Sequence, residues 1–166
     1  IGVNDTCESS VPGVYAVGDV NGGPQFTYIS LDDFRIVFGA LTGNGQYTLK
    51  DRKNIPYTTF LTPPLARIGL TEEDAINKGY TVKTKEMLVA TMPRAHVNDY
   101  LKGAFKIVVN ADNDLILGAT LYSQGAEELI NLIKMAMDNN IPYTYFKNQI
   151  FTHPTMAENL NDLCNF

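Results

Sequence analysis

The 166-residue sequence has no tryptophan, two histidines and two cysteines. The cysteines, Cys7 and Cys164, stand nearly a chain length apart and form no disulfide framework, CxxC motif or zinc pattern. Two unrelated thiols in a reducing, cytoplasmic setting are expected. Basic residues are outnumbered, 13 Lys and Arg against 18 Asp and Glu, for a net charge of −5. With no Lys/Arg stripe, nucleic acid is not an expected partner. No apolar run approaches ~18 residues, so no membrane span is expected. Complete GxGxxG, P-loop and GxSxG motifs are missing, as is any cluster of metal ligands. Ile1-Gly2-Val3-Asn4-Asp5 has neither the basic start nor the apolar core of a signal peptide. Without an initiator Met, the chain is expected to begin inside a longer protein.

What is present suits one domain, or one domain plus a piece of another. Val14-Tyr15-Ala16-Val17 is apolar and β-compatible, and predicts a short strand ended by Gly18-Asp19. After Asn21-Gly22-Gly23-Pro24, residues 25 to about 41 show partial helical periodicity, and Gly43-Asn44-Gly45 stops the helix. Strand, Gly-rich loop and helix N-terminus together are a place to bind an anionic or hydroxyl-rich cofactor, with Asp19 as acceptor. A plain turn at Gly18-Asp19 explains the same residues. Residues 46–55 are polar and predict a linker.

Beyond it, residues 56–61 predict a strand ended by Thr62-Pro63-Pro64, in which either X-Pro bond can be cis. Thr71 as N-cap, acids in the first turn and Gly79 after the last mark a short helix. Three strands follow, at 80–92, 103–110 and 115–122, the last two joined by the Asp112-Asn113-Asp114 turn. His96 falls in a solvated loop after Pro93-Arg94-Ala95. Gly118 and Ala119 would admit close approach of another layer. Residues 125–139 form a helix apolar around much of its circumference, to be covered by the sheet and either a second subunit or the monomer's own core. The prediction is an α+β domain: an antiparallel sheet with helices on one face.

The remaining stretch, Ile150-Phe151-Thr152-His153-Pro154-Thr155-Met156-Ala157-Glu158, pairs a histidine with a glutamate five residues on. A histidine with a reference pKa of ~6.5 exchanges a proton near neutrality, and a glutamate behind the ring would fix its tautomer. Thr155-x-x-Glu158 also has the form of a capping box, which accounts for Glu158 without any chemistry. No nucleophile accompanies the pair. Cys164 is expected near a disorder-prone terminus.

Three motifs in order carry a resemblance. Val11-Pro12-Gly13-Val14-Tyr15-Ala16-Val17-Gly18-Asp19 resembles the second flavin-binding motif of the pyridine nucleotide-disulfide oxidoreductases. Thr59-Phe60-Leu61-Thr62-Pro63-Pro64 with Ile68-Gly69-Leu70-Thr71-Glu72 resembles the start of their interface domain, and His153-Pro154-Thr155-x-x-Glu158 their catalytic His-Glu pair. The resemblance implies a homodimeric FAD enzyme using NAD(P)H. Residues 1–48 would be the end of the FAD-binding domain and 54–166 the dimerisation domain. His153 and Glu158 would serve the partner subunit's cysteines, with backbone near Pro154 approaching the partner's flavin. Gly18, Asp19, Gln25, Phe26 and Thr27 would face the flavin of their own subunit, and no metal site is implied. The GxGxxG, the CxxxxC and the NAD(P) domain would lie upstream, so the fragment alone is expected to be inactive.

Residues 22–35 and Leu160-Asn161-Asp162-Leu163 are similar to the bacterial reactive-chlorine-resistance subgroup, associated with oxidant defence and copper(II) reduction. Mercuric reductase would carry paired C-terminal cysteines, absent here. The alternatives are a dihydrolipoamide dehydrogenase-like enzyme and a non-catalytic dimerisation module.

Overall fold

The computed structural model describes residues 1–166. It divides into two compact units, Ile1–Lys53 and Asn54–Phe166.

The first unit is built on helix α1 (Thr27–Thr42), which ends at Gly43 with φ 73°. Only Ile29, Asp33 and Ile36 of α1 are buried, a narrow stripe, while Leu31, Phe34, Phe38 and Leu41 are more than half exposed. A 3-10 turn at Gly18–Asn21 precedes α1, and another at Leu49–Asp51 follows it. The strand predicted at Val14–Val17 does not form. One isolated bridge joins Tyr15 to Glu8, with Ser9 N–H donating to Val14 O and Ala16 N–H to Cys7 O. A strand needs a ladder, and within this unit only the short segment around Glu8 runs alongside.

The second unit is a five-stranded antiparallel sheet in the order β1-β2-β5-β4-β3, formed by Tyr57–Thr59, Leu65–Gly69, Val82–Leu88, Ala104–Asn110 and Ile116–Tyr122. The register places Ala66 and Phe105 on either side of Leu121, and Ile68 and Ile107 on either side of Ala119. These six side chains therefore share one face, and all are buried. Helices α4 (Ala126–Asp138), α5 (Tyr143–Asn148) and α6 (Asn159–Leu163) supply the opposing layer through Leu129, Ile130, Ile133, Phe146, Leu160 and Leu163. Each such side chain contributes roughly 1.5–3 kcal/mol, against less than ~1 kcal/mol for a surface pair such as Lys134–Asp138. The apolar layer therefore decides the fold.

Helix α2 (Glu72–Asn77) is capped as predicted: Thr71 Oγ1 accepts from Asp74 N–H at 3.0 Å, and Gly79 takes φ 84°. It stands on the sheet's other side, where Glu72 bonds Lys106 and Thr84. Gly118 lets the Leu70 backbone close in, since a Cβ there would meet Leu70 N at 2.7 Å.

Three expectations need correcting. Strand β2 (Leu65–Gly69) was not foreseen, so the sheet has five strands rather than four. Strand β3 stops at Leu88, where a 3-10 turn (Val89–Thr91) and helix α3 (Pro93–Val97) take over. Pro93 at the first helical position sets the start of α3, since its fixed φ suits that position and its missing N–H is not needed there. His96 thus lies on a helix, exposed, with Nε2 2.8 Å from Ala90 O. Cys164 is not in a disordered end but fully buried beside Leu160 and Leu163.

Candidate functional site

His153 lies on the segment between α5 and α6. That segment has no regular structure of its own, so side chains from α6 hold it. Asn161 Nδ2 donates to Phe146 O at 2.7 Å and Gln149 O at 2.9 Å, fixing the departure from α5. Asn159, buried, donates to Thr155 O at 3.2 Å and Met156 O at 3.1 Å, fixing the return. Phe151, Met156 and Ala157 pack against the core between them. The His153–Pro154 bond is cis, as is Thr62–Pro63.

The two explanations of Glu158 both hold at once. Oε1 accepts the Thr155 N–H at 2.9 Å, and Thr155 Oγ1 accepts the Glu158 N–H at 3.2 Å, which closes the capping box around the turn into α6. Oε2 lies 2.7 Å from His153 Nδ1. The hydrogen bond from His153, then that from Thr155, outweigh partial burial and hold the Glu158 carboxyl below the usual glutamate range. An ionised carboxylate only accepts, so Nδ1 carries the proton and Nε2 of the neutral ring is left with a lone pair. The glutamate side chain is 19% exposed and the imidazole 68%. The arrangement is a fixed, outward-facing acid/base group.

No nucleophile stands beside it. Thr155 Oγ1 donates to Thr152 O at 2.8 Å. Burial pushes the Cys164 thiol up to about 12, so it stays protonated and inert. No three His, Cys, Asp or Glu side chains are grouped to hold a metal ion.

The other predicted residues gather within the first unit. Gly18 takes φ 72°, and a Cβ there would sit 2.7 Å from Ser30 Oγ, so only glycine lets the turn pack on α1. Asp19 is exposed, and its carboxylate makes no hydrogen bond within the chain. Gln25 is exposed, Phe26 is the N-cap of α1 and stacks on Tyr28 at 5.1 Å, and Thr27 is the first helical residue. No side chain caps α1. The sequence reading missed Asn21, Asp33 and Arg52, which are hydrogen-bonded to one another around this turn. The available signal was an acid on the buried stripe of a helix, at Asp33.

The second unit is thus an antiparallel α+β domain that carries a carboxylate-held imidazole with no nucleophile beside it. The profile of the "Pyridine nucleotide-disulphide oxidoreductase, dimerisation domain" family matches residues 55–164. The probable pyridine nucleotide-disulfide oxidoreductase RclA of Escherichia coli is 46% identical over 161 residues, 97% of this chain and 36% of that protein. Mercuric reductase of Staphylococcus aureus is 34% identical, over 95% of this chain and 28% of its own length. Dihydrolipoyl dehydrogenase of Mycobacterium tuberculosis is 31% identical, over 98% and 35%. The solved HOCl-induced flavoprotein disulfide reductase RclA from E. coli superposes with a TM-score of 0.95 at 45% identity, covering 98% of this chain and 38% of that one; it is also solved as a Cu(II) complex. The chain belongs to the pyridine nucleotide-disulfide oxidoreductase family and contains its dimerisation domain. It spans between 28% and 38% of the length of these relatives. No helix is long and apolar enough to cross a membrane.

Proposed function

We propose that residues 54–166 are the dimerisation domain of an FAD-dependent, NAD(P)H-linked oxidoreductase, and residues 1–48 the end of its FAD-binding domain. In this reading His153 and Glu158 complete the active site of the partner subunit in a cytoplasmic homodimer. The observation that carries the reading is the Nδ1–Oε2 bond of 2.7 Å on an exposed imidazole with no nucleophile of its own.

Bound FAD would pass electrons from NAD(P)H to a cysteine pair in the rest of the protein. His153 Nε2 would take the proton from a cysteine thiol there, leaving the reactive thiolate, and later return it to the thiolate released. Glu158 keeps Nδ1 protonated throughout and stabilises the imidazolium formed midway. Thr155, by fixing Glu158 Oε1, keeps Oε2 for the histidine. Backbone at Pro154 would approach the partner's flavin ring.

Gly18, Asp19, Gln25, Phe26 and Thr27 fit the flavin of their own subunit. An exposed carboxylate without a partner beside a helix start with no side-chain cap suits a polyhydroxylated chain and an electron-rich ring. Greater identity to RclA than to mercuric reductase or dihydrolipoyl dehydrogenase favours oxidant defence, with disulfide or metal-ion reduction as the chemistry.

His153→Gln in the whole protein tests the reading. Turnover driven by NAD(P)H is expected to fall about 10²- to 10⁴-fold while the dimer persists. Unchanged turnover would leave a dimerisation module without chemistry.

A further inference from the structure

The turn that carries Gly18 and Asp19 is a single 3-10 turn, too short to hold its own shape. Its ties lead to Asp33, on α1. The Asp33 side chain is fully buried. Oδ2 accepts the Gly18 N–H at 2.8 Å and Asn21 Nδ2 at 2.8 Å, and Oδ1 accepts Arg52 Nη2 at 2.5 Å. Arg52 is itself anchored by Nε to Asp32 Oδ2 at 2.8 Å. A buried carboxylate is tolerated only with a counter-charge and satisfied acceptors, and Asp33 has both. An apolar residue would extend the Ile29 and Ile36 stripe without that desolvation penalty. What the carboxylate does that an apolar residue cannot is grip the two ends of the turn, on either side of Asp19.

We propose that Asp33, backed by Arg52, is a positioning residue: it fixes the Gly18–Asn21 turn and thereby sets the Asp19 carboxylate toward the hydroxyl-bearing chain of FAD. This rests on the flavin-facing reading of Asp19 given above. Asp33 touches no cofactor; it acts through the Gly18 amide and Asn21. Arg52 neutralises it, and since Arg52 is the next-to-last residue of the first unit, it also ties that unit's last segment to the same turn.

The test uses the whole protein, stripped of flavin and reconstituted. It measures the FAD dissociation constant by fluorescence, the visible flavin spectrum, and amide exchange over residues 18–21. Asp33→Asn keeps the size and turns one acceptor into a donor. It is expected to weaken FAD about tenfold and to speed exchange over the turn, with the dimer intact. Asn21→Ala removes one donor and leaves the Asp33–Arg52 pair; about threefold weaker binding is expected, and this variant carries the test should Asp33→Asn fail to fold. Arg52→Lys, which keeps the charge, is expected to lie nearer the unaltered protein. FAD held as tightly by Asn21→Ala and by any folded Asp33→Asn, with Asp19→Ala weakened, overturns the positioning role alone. FAD absent from the unaltered whole protein, or unmoved by Asp19→Ala, overturns the flavin-facing reading and the positioning role with it.

Discussion

Two Thr-x-x-acid boxes in the second unit start from the same sequence pattern and end differently. In the first, Asp74 Oδ2 accepts both the Thr71 N–H at 3.3 Å and the Thr71 hydroxyl at 2.6 Å, so the box closes on itself. In the second, Glu158 divides its oxygens between Thr155 and His153. The extra methylene of glutamate lets one oxygen close the turn while the other reaches past it. Capping is therefore no rival to the acid/base reading of Glu158. It supplies the fixed carboxylate that a proton-transfer histidine needs.

The largest expected contrast is in turnover. In the whole protein Glu158→Gln should cut turnover roughly ten- to a hundredfold, less than His153→Gln because the imidazole survives. Asp74→Asn should leave turnover unchanged. Equal effects would erase the distinction between the boxes. Next comes the threonine pair. Thr71→Ala and Thr155→Ala should each cost about 1 kcal/mol by denaturant unfolding, and only Thr155→Ala should also slow turnover.

A smaller effect separates the carboxylates by pH. Glu158 is held below its ordinary value, so the folded chain binds that proton less readily than the unfolded one. The stabilisation is complete above about pH 4.3 and is lost as the pH falls through the folded-state value. An NMR titration should show His153→Gln moving Glu158 back toward the ordinary range and leaving Asp74, held low by Thr71 instead, where it was. Movement of both would mean a general loosening. Smallest of all, Cys7 and Cys164, both buried, should resist a thiol reagent in the native protein and react only on unfolding, as mass spectrometry would show.

The pattern of legibility has physical causes. Helix α4 was plain because its apolar residues recur at helical spacing, and α2 because Thr71 and Gly79 mark its ends. Strand β2 was missed because only Ala66 and Ile68 face inward on it, and alanine is a weak signal. Val14–Val17 misled because β-propensity describes a residue, while a strand needs a partner. Nearness to the terminus misleads at Cys164, which caps α6 four residues after Leu160 and is buried with it. The His153–Glu158 pairing was visible in the spacing. The division of labour between the two glutamate oxygens was not, since it depends on how Asn159 and Asn161 shape the loop.

The central claim, that His153 serves the partner's site, is tested most directly by a mixed dimer in the whole protein. One subunit carries His153→Gln; the other keeps His153 and has its redox cysteines replaced by serine. If the site is built across the dimer, one of its two sites is intact, and about half of the activity of the unaltered dimer returns although each parent dimer is nearly inactive. A mixed dimer as inactive as its parents would place histidine and cysteines in one subunit and contradict the claim.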